Sequence, residues 1–197
     1  MLWCLVLHSM KIRCKWAEVG SLLDVEYHDN EWGVPVHDDT KLFEFLLLET
    51  AQAGLSWSII LKKREAYRKS FDNFDFNKIA QYDQEKHQEL FVNPSIIRNK
   101  SKIQSVVKNA NAFIKVQDQF GTFDSYLWSF VDGVPKQNQW ITCEDVPLRT
   151  SISDLLSDDL KMRSFIFVGS ITCYAMMQAI GMVNDHIISC FRHNELR

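Results

Sequence analysis

The sequence predicts a single all-α domain, and three observations carry that prediction. Apolar residues recur at three- and four-residue spacing along several segments, with capping residues before them and Gly or Pro after. No convincing set of strands, repeats or long linkers interrupts these segments. The 197 residues, 46% of them hydrophobic, are enough to bury one sizeable core.

The bulk numbers also exclude some partners. No apolar run approaches the ~20 residues needed to span a bilayer. Lys and Arg number 22 against 25 Asp and Glu, a net charge of −3, so no global positive field advertises nucleic acid, although a local patch can serve. Five scattered cysteines suggest no disulfide framework. They fit a cytoplasmic protein that uses Cys as core residue or metal ligand. Residues 1–9 are greasy but lack a basic leader and a cleavage site. They read as an N-terminal extension with no assigned role, ahead of a domain over 10–197.

In chain order, Cys14-Lys15-Trp16 is followed by a Gly-Ser break and a segment ending in Tyr27-His28-Asp29-Asn30-Glu31-Trp32-Gly33-Val34-Pro35. Aromatic and hydrogen-bonding groups alternate there too closely for an ordinary solvated loop. After Asp38-Asp39-Thr40 an amphipathic helix begins, with Leu42, Phe45, Leu46 and Ala53 on its buried face. Glu49 falls on that same face. Gly54 breaks the helix, and Leu55 and Trp57 follow on a turn. Ser58 opens a helix from Ile59 to Phe71 that carries Lys62-Lys63-Arg64. A turn-rich stretch leads to a short helix near Gln84–Phe91, and Pro94 starts a long one from Ile96 to about Gln119. Its stripe is Ile96, Ile97, Ile103, Val106, Val107, Ala110 and Phe113. Thr122–Val131 reads as a short aromatic helix stopped by Asp132-Gly133, and Gln137–Pro147 as an irregular connection. Ser153 is the expected N-cap of Asp154–Arg163. A hairpin at Phe165–Ser170 precedes a helix from Ile171 to Ile180 that Gly181 ends. Asn184 to about Phe191 closes a set of eight to ten helices.

Three groups of residues carry candidate chemistry. Glu49 on an apolar face loses hydration at a cost of several kcal/mol unless partners replace it. With the Gly54 break and Trp57 it can form the wall of a pocket; periodicity alone leaves open that it meets a core Arg. His186 and Cys190, four residues apart, can bind one metal, and Cys14 with His28 is the natural second pair for a tetrahedral Zn²⁺. Spacing alone also allows a buried Cys and a backbone-bonded His. Phe167-Val168-Gly169-Ser170 between two helices has the form of a phosphate-binding turn, or of an ordinary αα-hairpin. Lys62-Lys63-Arg64 and Arg98, Lys100 and Lys102 are weak candidates for further phosphate contacts. The Lys62-Lys63-Arg64 run reads as solvated, which argues against a Lys nucleophile there.

Those blocks, together with Gln52-Ala53-Gly54-Leu55-Ser56-Trp57, Leu61-Lys62-Lys63-Arg64, Trp128-Ser129-Phe130 and Val183-Asn184-Asp185-His186, occur in a specific order. In that order they make the chain resemble the DNA-3-methyladenine glycosylase I family, from about Met10 to His193. The resemblance implies a helix-hairpin-helix glycosylase fold. It implies one structural Zn²⁺ joining the two chain ends through Cys14, His28, His186 and Cys190. It makes Glu49 the acid of the base pocket, Tyr27 and Trp57 its aromatic walls, and places Trp16 and Trp32 nearby. The turn Gly54-Leu55, beside the pocket and carrying an apolar side chain, is the expected wedge into DNA, with Leu55 as a core residue the alternative; Gly169 and Ser170 are the expected phosphate contacts. In the wider superfamily a catalytic Asp often follows the hairpin's second helix; Asn184 is expected in that place. Two residues depart from the family pattern: Asp24, where a second pocket Tyr is common, and Ser164, where a Gly is common.

The implied activity is that of a monofunctional, monomeric DNA glycosylase. It would flip 3-methyladenine out of alkylated double-stranded DNA and hydrolyse the N-glycosidic bond. The alternative is a zinc-stapled protein that binds DNA lesions without cleaving them. A purely structural helical protein would leave the buried acid and the His/Cys pairs without a purpose.

Overall fold

A computed structural model describes residues 11–52 and 54–197; the extension 1–9 and Ala53 lie outside the described residues. Within them the chain forms α1 (Lys15–Glu18), α2 (Leu22–Asn30), α3 (Asp39–Gln52), α4 (Trp57–Ser70), α5 (Phe76–Ile79), α6 (Gln84–Val92), α7 (Lys100–Phe120) and α8 (Phe123–Trp128). Then follow β1 (Lys136–Gln137), α9 (Ser151–Met162), α10 (Ser170–Ala179), β2 (Val183–Asn184) and α11 (Phe191–Glu195). The all-α expectation holds, with eleven α-helices among the described residues rather than eight to ten.

The architecture is organised around α3. Every residue from Leu42 to Ala51 is buried, so this helix is enclosed on all sides by α4, α7, α8 and α10. Two carboxylates share that enclosure. Glu44 is balanced by Lys41, Arg64 and Arg68 at 2.7–3.0 Å; Glu49 has no such cations. On the far side, Phe113 of α7 stacks on Phe123 of α8 with ring centroids 4.1 Å apart.

Several boundaries shift for local reasons. Ser56, not Ser58, is the N-cap of α4, which puts Trp57 on the first turn of the helix. Asn99 caps α7 by accepting from the Lys102 amide, so Ile96 and Ile97 belong to the preceding turn, though Ile96 remains buried. Thr150 rather than Ser153 caps α9. Ser153 instead occupies the third helical position and returns the bond to the Thr150 amide at 2.8 Å, a capping box.

The largest departure is at the C-terminal end. No helix spans 184 to 190: β2 pairs in parallel with β1, Lys136 opposite Val183 and Gln137 opposite Asn184. That pairing keeps the backbone extended, and a turn through Ile187 then brings Cys190 round. Gly181 ends α10 as expected, at φ +74°. A Cβ there would lie 2.5 Å from Pro35 N and Val34 C, so the close approach of residues 33–36 to the end of α10 requires glycine. Gly33 N and Val36 N donate to the carbonyls of Gln178 and Ile180 across this contact.

Candidate active site and metal centre

The four expected metal ligands converge. Cys14, His28, His186 and Cys190 are all buried, and one ligand atom from each lies within 4.8 Å of the others. The Cys190 Sγ is 3.5 Å from His28 Nε2 and 3.5 Å from His186 Nδ1; Cys14 Sγ is 3.7 Å from His186 Nδ1. Tetrahedral Zn²⁺ bonds of 2.0–2.3 Å place ligand atoms about 3.3–3.8 Å apart, so the cage has the size of the ion. The second nitrogen of each ring is already engaged, His28 Nδ1 with Asp29 at 2.8 Å and His186 Nε2 with the Trp32 carbonyl at 3.0 Å. Asp29 is in turn held by Arg13. Outer contacts of this kind fix the tautomer and aim the free nitrogen at a metal. The two thiols act on each other: their mutual bond and burial push Cys14 up, and the same bond pulls Cys190 down. The residues fit a closed metal site, reached by a turn rather than by the helical spacing expected of His186 and Cys190.

The metal cage forms the floor of an aromatic wall. Trp32 meets His186 edge-on at 4.6 Å and Trp16 meets His28 at 5.4 Å. Trp16 packs on Trp32 at 5.2 Å, and Tyr27 on Trp57 at 5.3 Å. All four aromatic residues line one cavity of about 360 Å³. Glu49 and Gln52 enter it from α3; Ile171, Tyr174, Ala175 and Gln178 enter from α10. Asp185 and the segment Cys143, Val146, Pro147 and Leu148 complete it.

Glu49 is 4% exposed, and its Oε2 has no hydrogen-bond partner among the described residues. The Trp57 indole Nε1 is likewise buried and unpartnered. Burial alone pushes the Glu49 carboxyl up to about 8. The Tyr27 phenol is also pushed well up, by burial first and then by the Glu49 charge. A buried carboxyl with an unsatisfied oxygen, a buried indole with an unsatisfied N–H and three or more aromatic faces surround a single space. Such a space suits a flat, polar-edged, positively charged guest.

Other expected residues lie elsewhere. Gly54 is exposed at φ +84°, and Leu55 is half-buried on the turn, outside the hydrophobic core and away from the cavity. Gly169 is the exposed N-cap of α10, and the Ser170 hydroxyl is shared with Ser153 at 2.9 Å. Arg64 is neither solvated nor free for phosphate: it is 11% exposed and grips Glu31 with two bonds of 2.8 Å. Lys63 is spent on the carbonyls of Pro94 and Ser95. Asp24 does not line the cavity. Its carboxylate accepts from Ser21 N, Ser21 Oγ and Ser58 Oγ, tying α2 to α4 behind the Tyr27–Trp57 wall. Asn184 also turns away, donating to Gln137 Oε1 and the His193 carbonyl; its neighbour Asp185 faces the cavity instead.

Sequence reasoning passed over the α10 face and Asp185. The signal was present: Ile171, Tyr174, Ala175 and Gln178 share one face at i, i+3, i+4 and i+7, and a Gln in so apolar a helix needs a partner.

The comparisons define first a class of protein: helical DNA glycosylases. A solved structure of 3-methyladenine DNA glycosylase I superimposes with a TM-score of 0.87 at 48% identity, covering 91% of this chain and 98% of its own. A Tyr-to-Phe variant of 3-methyladenine DNA glycosylase I, solved in complex with 3-methyladenine, gives a TM-score of 0.86 at 34% identity, covering 88% and 94%. In sequence, DNA-3-methyladenine glycosylase 1 of Escherichia coli K12 is 46% identical over 178 residues, which is 90% of this chain and 95% of the relative. The methyladenine glycosylase family model matches residues 16–193. The chain belongs to the methyladenine glycosylase family.

Proposed function

We infer that the protein excises 3-methyladenine from alkylated double-stranded DNA, acting as a monofunctional N-glycosyl hydrolase. The observation that carries this reading is Glu49: a buried carboxyl with an unpaired oxygen, bounded by Tyr27 and Trp57. A neutral base would leave the cost of ionising it uncompensated. A base with delocalised positive charge offsets that cost by Coulomb attraction and by stacking on the aromatic faces. The complex of a family member with 3-methyladenine supports the identity of the base, while the charge argument applies to the base still bonded to the sugar.

N3-methylation already makes the base a good leaving group, so the chain's residues select and position more than they catalyse. The flipped nucleotide enters the cavity against the wall made by Tyr27 and Trp57, and its amino group turns to the Glu49 side. The C1′–N9 bond breaks, the bonding pair goes to the base and neutralises its charge, and water attacks C1′, releasing a proton to solvent. Zn²⁺, when held by Cys14, His28, His186 and Cys190, supplies a closed structural cross-link and no open position for water. Gly54-Leu55 acts as the wedge filling the gap in the duplex, and Gly169 and Ser170 open α10 toward a phosphate.

The test is chromatography of bases released from methylated duplex DNA. The expected result is 3-methyladenine, with uracil and hypoxanthine left in place in parallel substrates. Glu49→Gln keeps the shape, removes the charge and should cut excision at least tenfold in a folded protein. Parent-rate release by that variant would overturn the role of the carboxylate.

A further inference from the structure

Glu49 alone cannot explain discrimination between an amino and an oxo group on the base. In the empty cavity burial pushes the Glu49 carboxyl up to about 8, so it ionises only against a cationic base; facing an uncharged one it keeps its proton and donates as readily as it accepts. An uncharged 6-oxo purine could therefore satisfy it. Selectivity requires an acceptor in the same cavity that is unable to switch.

Gln178 meets that requirement. It lines the cavity from α10, half-buried, one turn beyond Tyr174. Its Nε2 donates to Asp185 Oδ2 at 2.7 Å. The same oxygen accepts from Tyr174 OH at 2.7 Å, and Oδ1 accepts from Asn138 Nδ2 at 2.6 Å and Trp140 Nε1 at 2.7 Å. Four donors fill the carboxylate, and Tyr174 stays a donor because burial and the Asp185 charge push its phenol up. An amide flip would turn Gln178 Oε1 against these lone pairs, so the orientation is locked. Oε1 is then the unengaged end of the amide, with no hydrogen bond among the described residues.

We propose that Gln178 sets base specificity: its Oε1, held by the Asp185 bond, accepts from the amino group of the flipped adenine and repels a 6-oxo purine. This rests on the glycosylase reading above. A site built to pair an N–H rejects an analogue lacking it far better than an apolar pocket rejects a change of shape.

The experiment measures release of 3-methyladenine and 7-methylguanine from one methylated DNA by the parent, Gln178→Met and Asn138→Ala. Asn138 donates to Asp185 but does not line the cavity. Gln178→Met should lower the 3-methyladenine to 7-methylguanine rate ratio at least tenfold. Asn138→Ala should lose stability and keep the ratio. An unchanged ratio in Gln178→Met, or an equal fall in Asn138→Ala, would overturn the assignment. A second arm leaves Gln178 untouched: binding of free 3-methyladenine and free 3-methylhypoxanthine to Glu49→Gln. The amino base should remain preferred at least fivefold; equal binding would show that Glu49 carried the discrimination. If the parent releases no base, the glycosylase reading fails; if it does and both arms fail, only Gln178's role falls.

Discussion

Glu49 makes function and stability oppose each other at a single residue. Its folded pKa near 8 lies above the 4.5 of an exposed Glu, so ionising it in the empty cavity costs folding free energy. That cost is absent below pH 4.5, grows between 4.5 and 8, and is complete above. Glu49→Gln should therefore melt with the parent at pH 4.5 and above it at pH 8.5, by on the order of 10 °C. A constant difference across that range in thermal melts would contradict the shift. Ser164 shows the opposite kind of residue, one that costs stability where no chemistry is in view. It holds φ +73° at the end of α9, with Ser164 N bonded to the Lys161 carbonyl and Phe165 N to that of Leu160. This is a Schellman turn with Ser in the place that favours Gly. Ser164→Gly should add about 0.5–1 kcal/mol after the extra freedom of the unfolded chain is subtracted, read as a rise of roughly 2–4 °C in Tm.

At the scale of elements, the turn between α3 and α4 separates recognition from folding. Leu55 packs neither into the core nor into the cavity, and a Cβ at Gly54 would meet nothing within 4 Å. Leu55→Ala should weaken binding to lesion-bearing duplex about tenfold, measured by fluorescence titration, while Tm moves by less than 2 °C. A large loss of Tm would mark Leu55 as a packing residue instead. Which elements were legible follows from how local their causes are. The stripe of α3, the end of α10 at Gly181 and the pocket role of Trp57 depend on spacing and turn chemistry, and all are readable in the chain. The starts of α4, α7 and α9 were misplaced because several Ser, Thr and Asn residues compete as caps within a few positions, and tertiary fit chooses among them. The strand at Val183–Asn184 could not be read at all, since its partner, Lys136–Gln137, lies 47 residues away and each segment is two residues long. The i, i+4 argument for His186 and Cys190 named two residues that do converge with Cys14 and His28, but through a turn and not a helix. Asp185 was hidden in the same way: four donors from two separate segments give it meaning, Asn138 and Trp140 on one and Tyr174 and Gln178 on α10.

The whole molecule is closed by its first and last helices. Removing one ligand leaves a buried thiolate and two aimed imidazoles without a centre, so Cys190→Ser should lose bound metal and lower Tm by 10 °C or more. Protein purified without chelator and found zinc-free by elemental analysis would refute the metal assignment. The aromatic wall rests directly on that cage, Trp32 on His186 and Trp16 on His28, so chelation should abolish base binding along with stability. The same closure sets an order of events in synthesis. Cys14 leaves the ribosome long before His186, which follows it by 172 residues. Asp185, which locks the α10 face, arrives with His186. The helices around α3 can pack while the chain is still growing, yet the cavity lacks its floor until residues 185–190 have emerged. A chain that stops short of residues 185–190 therefore lacks the cavity's floor, and a fragment ending before Asp185 should fail to bind the base.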